Sequence, residues 1–120
     1  MFVSDILYAN KDDSEAEVSV SDGIYTLNCY FYPCKSAAIY QDIEYIFGNN
    51  CSDIFRVQKK EYAVQKLSDG FAYQLTAKVI DNALRTVCIG EMMIELDSPI
   101  PKDIVNEEFI TFYVSRLDCG

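Results

Sequence analysis

The feature that most constrains the fold is a series of short apolar runs with a two-residue alternation, each bounded by a turn sequence. The clearest series covers Glu61–Leu96, where the pattern predicts three strands and two turns. The strands are Glu61–Leu67, Phe71–Asp81 and Thr86–Leu96, and the turns are Ser68–Gly70 and Asn82–Arg85. Adjacent strands with such short connections predict a β-meander, with the apolar face of each strand turned towards a core.

The same alternation predicts further strands on both sides of the meander. They are Ala16–Ser21, Ile24–Tyr32, Ile54–Gln58 and Phe109–Leu117. The sequence Ser21-Asp22-Gly23 favours a hairpin turn, because glycine tolerates a positive φ and aspartate accepts hydrogen bonds within its own turn. In Thr86–Leu96 the alternation changes phase at Gly90, which indicates a β-bulge of the kind that lets a sheet coil into a barrel.

Residues 36–47 fit two interpretations. Their apolar residues recur at the spacing of one helix face: Ile39, Ile43, Ile46 and Phe47. However, Ile43, Tyr45 and Phe47 also alternate as strand residues do, and isoleucine and tyrosine favour strands. We therefore predict one mainly-β domain over residues 1–120, a small antiparallel barrel or sandwich, with a short helix around 36–47 left open. This layout is similar to OB-type and Greek-key barrels.

Histidine and cysteine usage argues against catalysis and metal binding. The chain has no histidine, so Ser-His and Cys-His nucleophile pairs are excluded, and we expect a protein that is not an enzyme. Five cysteines without a Cys-x-x-Cys pair predict reduced thiols and neither a zinc site nor a cofactor. We expect Cys29 and Cys88, which lie in apolar strand patterns, to be buried.

The N-terminal sequence and the hydropathy pattern predict a cytoplasmic protein. Met1–Leu7 has no basic region and no extended apolar segment, so we expect no secretory signal. No apolar run approaches the roughly 18 residues that a membrane-spanning helix needs. We accordingly expect no membrane partner.

Charge indicates the class of partner. The net charge is −9, which disfavours nucleic acid and favours a basic protein. Six acids against one lysine fall within residues 91–108, and they are our candidate partner-binding residues, with two tyrosines as possible aromatic anchors. The candidates are Glu91, Glu95, Asp97, Asp103, Glu107, Glu108, Tyr30 and Tyr32. The simpler interpretation of the acids is a solvated strand face that protects a sheet edge, and that of the tyrosines is cross-strand packing.

A small acidic domain that lacks catalytic motifs resembles the immunity proteins of bacterial toxin–immunity pairs. The resemblance rests on size, charge and the missing motifs, and it implies a toxin partner that often acts as a nuclease. The alternative is an OB-type nucleic-acid or nucleoprotein accessory module. That module would use the exposed tyrosines and the basic segment Arg56–Lys66. The sequence leaves the identity of the partner and the oligomeric state open.

Overall fold

The protein is described by a computed structural model that covers residues 1–10, 15–31, 39–67 and 70–119, with the backbone alone at residues 8–10 and 15. These residues form eleven strands and no helix. The strands are β1 (Phe2–Asn10), β2 (Glu15–Ser21), β3 (Thr26–Phe31), β4 (Ile46–Asn49), β5 (Ser52–Val57), β6 (Ala63–Lys66), β7 (Tyr73–Asp81), β8 (Thr86–Ile89), β9 (Met92–Leu96), β10 (Phe109–Val114) and β11 (Arg116–Cys119).

All eleven strands belong to one sheet, which confirms the prediction of a mainly-β barrel or sandwich. The hydrogen-bonded order is β1-β2-β3-β11-β4-β9-β8-β7-β10-β5, and β6 pairs with β7 outside this path. Among the described strands, β3 with β11 and β4 with β9 pair in parallel, and the other pairings are antiparallel. The sheet is therefore mixed rather than purely antiparallel.

The helix considered for residues 36–47 is absent from the described part of that segment, which begins at residue 39. The four apolar residues of the supposed helix face are split between two environments. Ile43 and Ile46 are buried, whereas Ile39 and Phe47 are about half exposed. The alternation of Ile43, Tyr45 and Phe47 does not describe the segment either, because Ile43 is buried whereas Tyr45 and Phe47 are about half exposed. Of its described residues, only Ile46 and Phe47 belong to a strand, β4. Residues 36–38 lie outside the described ranges.

Two long strands run through the centre of the sheet and pair with each other along their whole length. One consists of β4 and β5, separated by Asn50 and Cys51, and the other of β10 and β11, separated by Ser115. β5 pairs antiparallel with β10, and β4 pairs antiparallel with β11. Across the break, the Ser115 amide donates to the Asn49 carbonyl at 3.0 Å. We call this the central strand pair.

The sheet closes on each side of the central strand pair. On one side, β4 pairs with β9, and the path continues through β8, β7 and β10 back to β5. On the other side, the path runs from β11 through β3 and β2 to β1, which binds the chain segment preceding β4. There the Val3 amide donates to Gln41 O at 2.9 Å, and the Ile43 amide donates to Met1 O at 2.9 Å. Closure removes most of the free strand edges that would otherwise template further pairing.

The interior is filled by alternate residues of nearly every strand, as the sequence pattern predicts. On β7, the alternation predicted for Phe71–Asp81 is confirmed, since its inward side chains are all buried. They are Tyr73, Leu75, Ala77 and Val79. The Tyr73 hydroxyl accepts the Asn28 amide at 2.9 Å, which joins β7 to β3 where β11 leaves the edge of β3 unpaired.

The outer face of β8 is also covered. Cys88 and Phe109 are 4% and 7% exposed, although both belong to a cross-strand row opposite the core. Tyr62 lies over them, with its ring centroid 5.3 Å from that of Phe109 and its hydroxyl 3.8 Å from the Cys88 sulfur. Burial raises the pKa of Tyr62 to about 12, and the Cys88 contact acts in the same direction. The expected burial of Cys29 and Cys88 is confirmed.

The predicted strand Thr86–Leu96 is wrong, because it is a hairpin of two strands. β8 and β9 pair antiparallel, with Ile89 opposite Met92, so Gly90 and Glu91 form a two-residue turn. Gly90 has a φ of +59°, which suits the first position of such a turn. A glycine at a change of alternation is compatible with a bulge or a tight turn, and pairing of the two flanking strands decides between them.

Asp22 joins this turn to the turn between β2 and β3. Its Oδ1 accepts the amides of Ile24 and Tyr25 at 2.9 and 2.8 Å, and its Oδ2 accepts the Glu91 amide at 2.9 Å. Burial acts to raise the pKa of the carboxyl, but these hydrogen bonds outweigh it and hold the pKa below its usual value. A Cβ at Gly90 would collide with the same Oδ2 and lie 3.0 Å from the Tyr25 ring.

This junction predicts unequal effects of two glycine substitutions. Gly90→Ala combines left-handed backbone strain with displacement of the Asp22 carboxylate, and we expect it to lower the free energy of unfolding by about 2–4 kcal/mol. Gly23→Ala is the matched control, because Gly23 has a φ of +96° but no atom within 4 Å of an added Cβ. Backbone strain alone should lower the free energy of unfolding of Gly23→Ala by about 1–2 kcal/mol. Urea denaturation would measure both, and equal losses would contradict the role of the Asp22 contact.

Candidate partner-binding face

The strand registers place six residues in one row across the outside of the sheet. Directly opposed residues of paired strands point to the same face, so each pairing carries the row to the next strand. In order across β2, β3, β11, β4, β9 and β8, the residues are Glu17, Tyr30, Asp118, Phe47, Glu95 and Thr86. For the first five of these residues both neighbours along the strand are buried, which places their side chains on the outside of the sheet. Thr86, at the β8 end of the row, is itself buried. We call them the outer row.

Acidic and aromatic side chains alternate along most of the outer row. With neighbouring strands about 4.8 Å apart, six strands extend over roughly 24 Å, a distance comparable to the width of a protein–protein contact. Glu17, Tyr30 and Asp118 are half-buried, Glu95 is exposed, and Phe47 is 47% exposed. The most accessible part of the row is therefore the β4–β9 end.

The β3–β11 end of the row already holds a cation from the chain itself. The Arg116 guanidinium lies 4.6 Å from the centroid of the Tyr30 ring. It also donates two hydrogen bonds to the Asp118 carboxylate, from Nε to Oδ1 at 2.6 Å and from Nη2 to Oδ2 at 2.9 Å. The Tyr30 ring and the Asp118 carboxylate thus bind one guanidinium together.

The β4–β9 end presents the same pair of groups to solvent. Phe47 and Glu95 are directly opposed, and within the described ranges no cationic group pairs with Glu95 or stacks on Phe47. Tyr45, two residues before Phe47, is 45% exposed. A cavity of about 290 Å³ lies beside them, lined by Gln41, Asp42, Ile43, Glu44, Tyr45 and Phe47. Its acidic side chains are exposed.

The structure separates the six predicted acids into different roles. Glu95 belongs to the outer row, and Glu91 lies in the β8–β9 turn with an exposed side chain. Asp97 instead fixes the break in the central strand pair, since its carboxylate accepts the amides of Asn50 at 2.6 Å and Cys51 at 3.0 Å. Burial acts to raise the pKa of Asp97, but these hydrogen bonds outweigh it and hold the pKa below its usual value.

The other three predicted acids pair with basic groups of the chain. Arg56 binds Glu108 at 2.7 Å and Asp103 at 3.5 Å, and Lys78 lies 3.6 Å from Glu107. The Glu108 carboxylate also accepts the Val105 amide, and this hydrogen bond together with Arg56 lowers its pKa. These residues hold the irregular segment between β9 and β10 against the sheet, so they do not extend the outer row.

The outer row contains residues that the sequence did not single out. Phe47 was hidden by the helix–strand ambiguity, and its outward position follows only from the burial of Ile46 and Gly48 on either side. Nothing in the sequence around Asp118 indicated a binding residue, because its place in the row depends on the pairing of β11 with β4. Of the two predicted tyrosines, Tyr30 is in the row, and Tyr32 lies outside the described residues.

Other kinds of site find little support in the part of the chain that the structure describes. There, no group of three or more cysteine, aspartate or glutamate side chains is placed to hold a metal ion. Cys29, Cys51, Cys88 and Cys119 are buried free thiols, and Cys34 lies outside the described ranges. No helix of the described residues has the length and apolarity needed to cross a membrane.

No protein-family model matches the chain, and no curated protein and no solved structure matches it either.

The hydrogen bonds of Asp97 predict an acid-dependent contribution to stability. Because its pKa is lowered on folding, this contribution is complete above the usual value of 3.8 and is lost as the pH falls through the lower folded value. We expect Asp97→Asn to lower the free energy of unfolding by about 1 kcal/mol at pH 7, a modest value because the carboxylate is exposed. At pH 2 the loss should be smaller. Denaturation at several pH values would measure this.

Glu95→Gln is the control, because it removes a charge from the same β-strand region without removing a backbone hydrogen bond. We expect its unfolding free energy at pH 7 to stay within about 0.5 kcal/mol of the wild type. An Asp97→Asn variant that loses nothing at pH 7, or loses the same amount at pH 2, would contradict the assigned role of Asp97.

Proposed function

We propose that this protein is a non-enzymatic, cytoplasmic interaction protein that binds and neutralises a basic protein partner. The proposal follows the immunity proteins of toxin–immunity pairs, with a nuclease-type toxin as the partner class. The observation that carries it is the β4–β9 end of the outer row, where Phe47 and Glu95 are accessible and unpaired by any described cation. Aromatic side chains are enriched at binding surfaces, and a carboxylate beside one can accept hydrogen bonds from a basic group of the partner.

Charge supports the same class of partner. With a net charge of −9, the protein attracts a basic surface over distances comparable to the Debye length, which increases the association rate. A nuclease must present a positive cleft to bind phosphates. Carboxylates that enter or border such a cleft would compete with the nucleic acid, which gives a physical mechanism for neutralisation.

The internal pairing of basic groups weighs against the nucleic-acid alternative. Arg56 is engaged by Asp103 and Glu108, and Lys59 lies 3.1 Å from Glu61. The basic segment predicted as a phosphate-binding strip is therefore partly neutralised by the protein's own carboxylates. Tyr30, the described candidate for base stacking, already lies against Arg116 and Phe71.

The proposal is tested by affinity capture from the host with wild-type protein and two charge-reversal variants. We expect to capture a stoichiometric basic protein that a salt gradient releases. The activity of that captured protein should be inhibited by the domain used to capture it. Glu95→Lys should weaken capture at least tenfold, because it replaces an attraction by a repulsion at the most accessible part of the outer row. Glu61→Lys makes the same charge change outside the outer row and should retain capture.

Two results would contradict this function. One is undiminished capture by Glu95→Lys, which would remove the outer row from the interface. The other is a captured species that nuclease treatment abolishes, which would favour the accessory-module alternative.

A further inference from the structure

The outer row contains two acid–aromatic pairs that differ in one respect. In the first, Asp118 and Tyr30 are directly opposed on β11 and β3, and together they bind the guanidinium of Arg116. In the second, Glu95 and Phe47 are directly opposed on β9 and β4. The two pairs are adjacent, because Asp118 is itself opposite Phe47.

Two cations on, or directly before, the strands beside the second pair are engaged elsewhere. Arg116 directs both Nε and Nη2 to Asp118. Arg85 directly precedes Thr86, the residue of β8 that lies opposite Glu95. Its Nη1 donates to the Asp97 carbonyl at 3.4 Å. Neither forms an ion pair with Glu95 among the described residues. The second pair therefore has the groups that bind a guanidinium but no described guanidinium of its own.

The geometry around the second pair suits arginine better than lysine. A guanidinium is planar, so it can stack on an aromatic ring while its N–H groups reach a carboxylate at the edge of that ring. An ammonium is a compact, strongly hydrated charge that gains less from such a surface. Tyr45 adds a second half-exposed ring beside Phe47, and the adjoining cavity of about 290 Å³ has room for the aliphatic part of a side chain.

We propose that Phe47 and Glu95, with Tyr45 beside them, bind an arginine side chain of the partner protein. This inference rests on the proposed function, since it names the chemical group by which the basic partner is recognised. It predicts that Phe47 and Glu95 recognise a guanidinium group specifically and do not simply attract any positive charge. The charge of the exposed acid Glu44 at the cavity adds to the attraction, whereas Asp42, also at the cavity, lies 4.0 Å from the N-terminal ammonium.

The test is an NMR titration of the ¹⁵N-labelled protein with hexa-arginine and with hexa-lysine, two peptides of equal charge. We expect saturable amide shifts centred on residues 45–48 and 94–96, and binding of hexa-arginine about three- to tenfold tighter than that of hexa-lysine. Phe47→Leu keeps an apolar side chain but removes the ring, and it should reduce the preference for arginine to less than twofold. Glu95→Gln should weaken both peptides.

Phe55→Leu is the matched control for the ring. Phe55 is 62% exposed, but it lies opposite Thr111 rather than a carboxylate, so its replacement should leave the preference for arginine unchanged. Thermal unfolding of each variant would verify that the fold is retained.

Three outcomes would overturn the inference. Equal affinity of the two peptides, with shifts still on the outer row, would reject the arginine site but leave the proposed function standing. No shift on the outer row with either peptide would reject the site outright, and the capture experiment would then decide the function separately. Shifts at Phe47 that depend on protein concentration alone would assign the face to a second copy of this chain.

Discussion

The central strand pair is the constraint on which the rest of the structure depends. One closure of the sheet runs from β4 through β9, β8 and β7 to β10, and the other runs from β11 through β3, β2 and β1 to the segment that precedes β4. Close contact at its centre requires a residue without a side chain. A Cβ at Gly48 would lie 3.0 Å from the Cys51 sulfur and 3.4 Å from Val114. The Asp97 carboxylate then fixes the break between β4 and β5.

Closure also explains why the proposed binding face lies on the outside. When alternate residues of every strand fill one interior, the remaining residues must align in cross-strand rows on the exterior. Two groups of exterior side chains are satisfied within the chain. Tyr62 covers the region around Cys88 and Phe109, and Arg116 binds the Tyr30–Asp118 pair. The Phe47–Glu95 pair has no comparable cover among the described residues.

Local pattern allowed much of the fold to be predicted from the sequence. Two-residue alternation identified the buried face of β7, and turn chemistry identified the hairpin at Asp22 and Gly23. The error at Gly90 has a physical reason, since a positive φ and a change of alternation fit both a bulge and a tight turn. Which one forms depends on whether the flanking segments pair with each other, and tertiary structure determines that pairing.

The candidate site could be predicted only in part, because charge is visible in the sequence but pairing is not. Glu95 and Tyr30 were chosen for their types and lie in the outer row. Asp97 and Glu108 were predicted for the same reason, but each has a partner within the chain. Asp97 accepts the amides of Cys51 and Asn50, which lie 46 and 47 residues before it, and Glu108 pairs with Arg56 on β5. Such long-range contacts decide whether a carboxylate is structural or available to a partner.

Cross-strand nuclear Overhauser effects test the register of the outer row most directly. The strand pairing predicts close contacts between the backbone protons of Phe47 and Asp118, and between those of Phe47 and Glu95, as expected for opposed residues. Contacts shifted by one residue would turn Phe47 towards the interior and expose Ile46 or Gly48 instead. That result would contradict both the packing and the binding face derived from it.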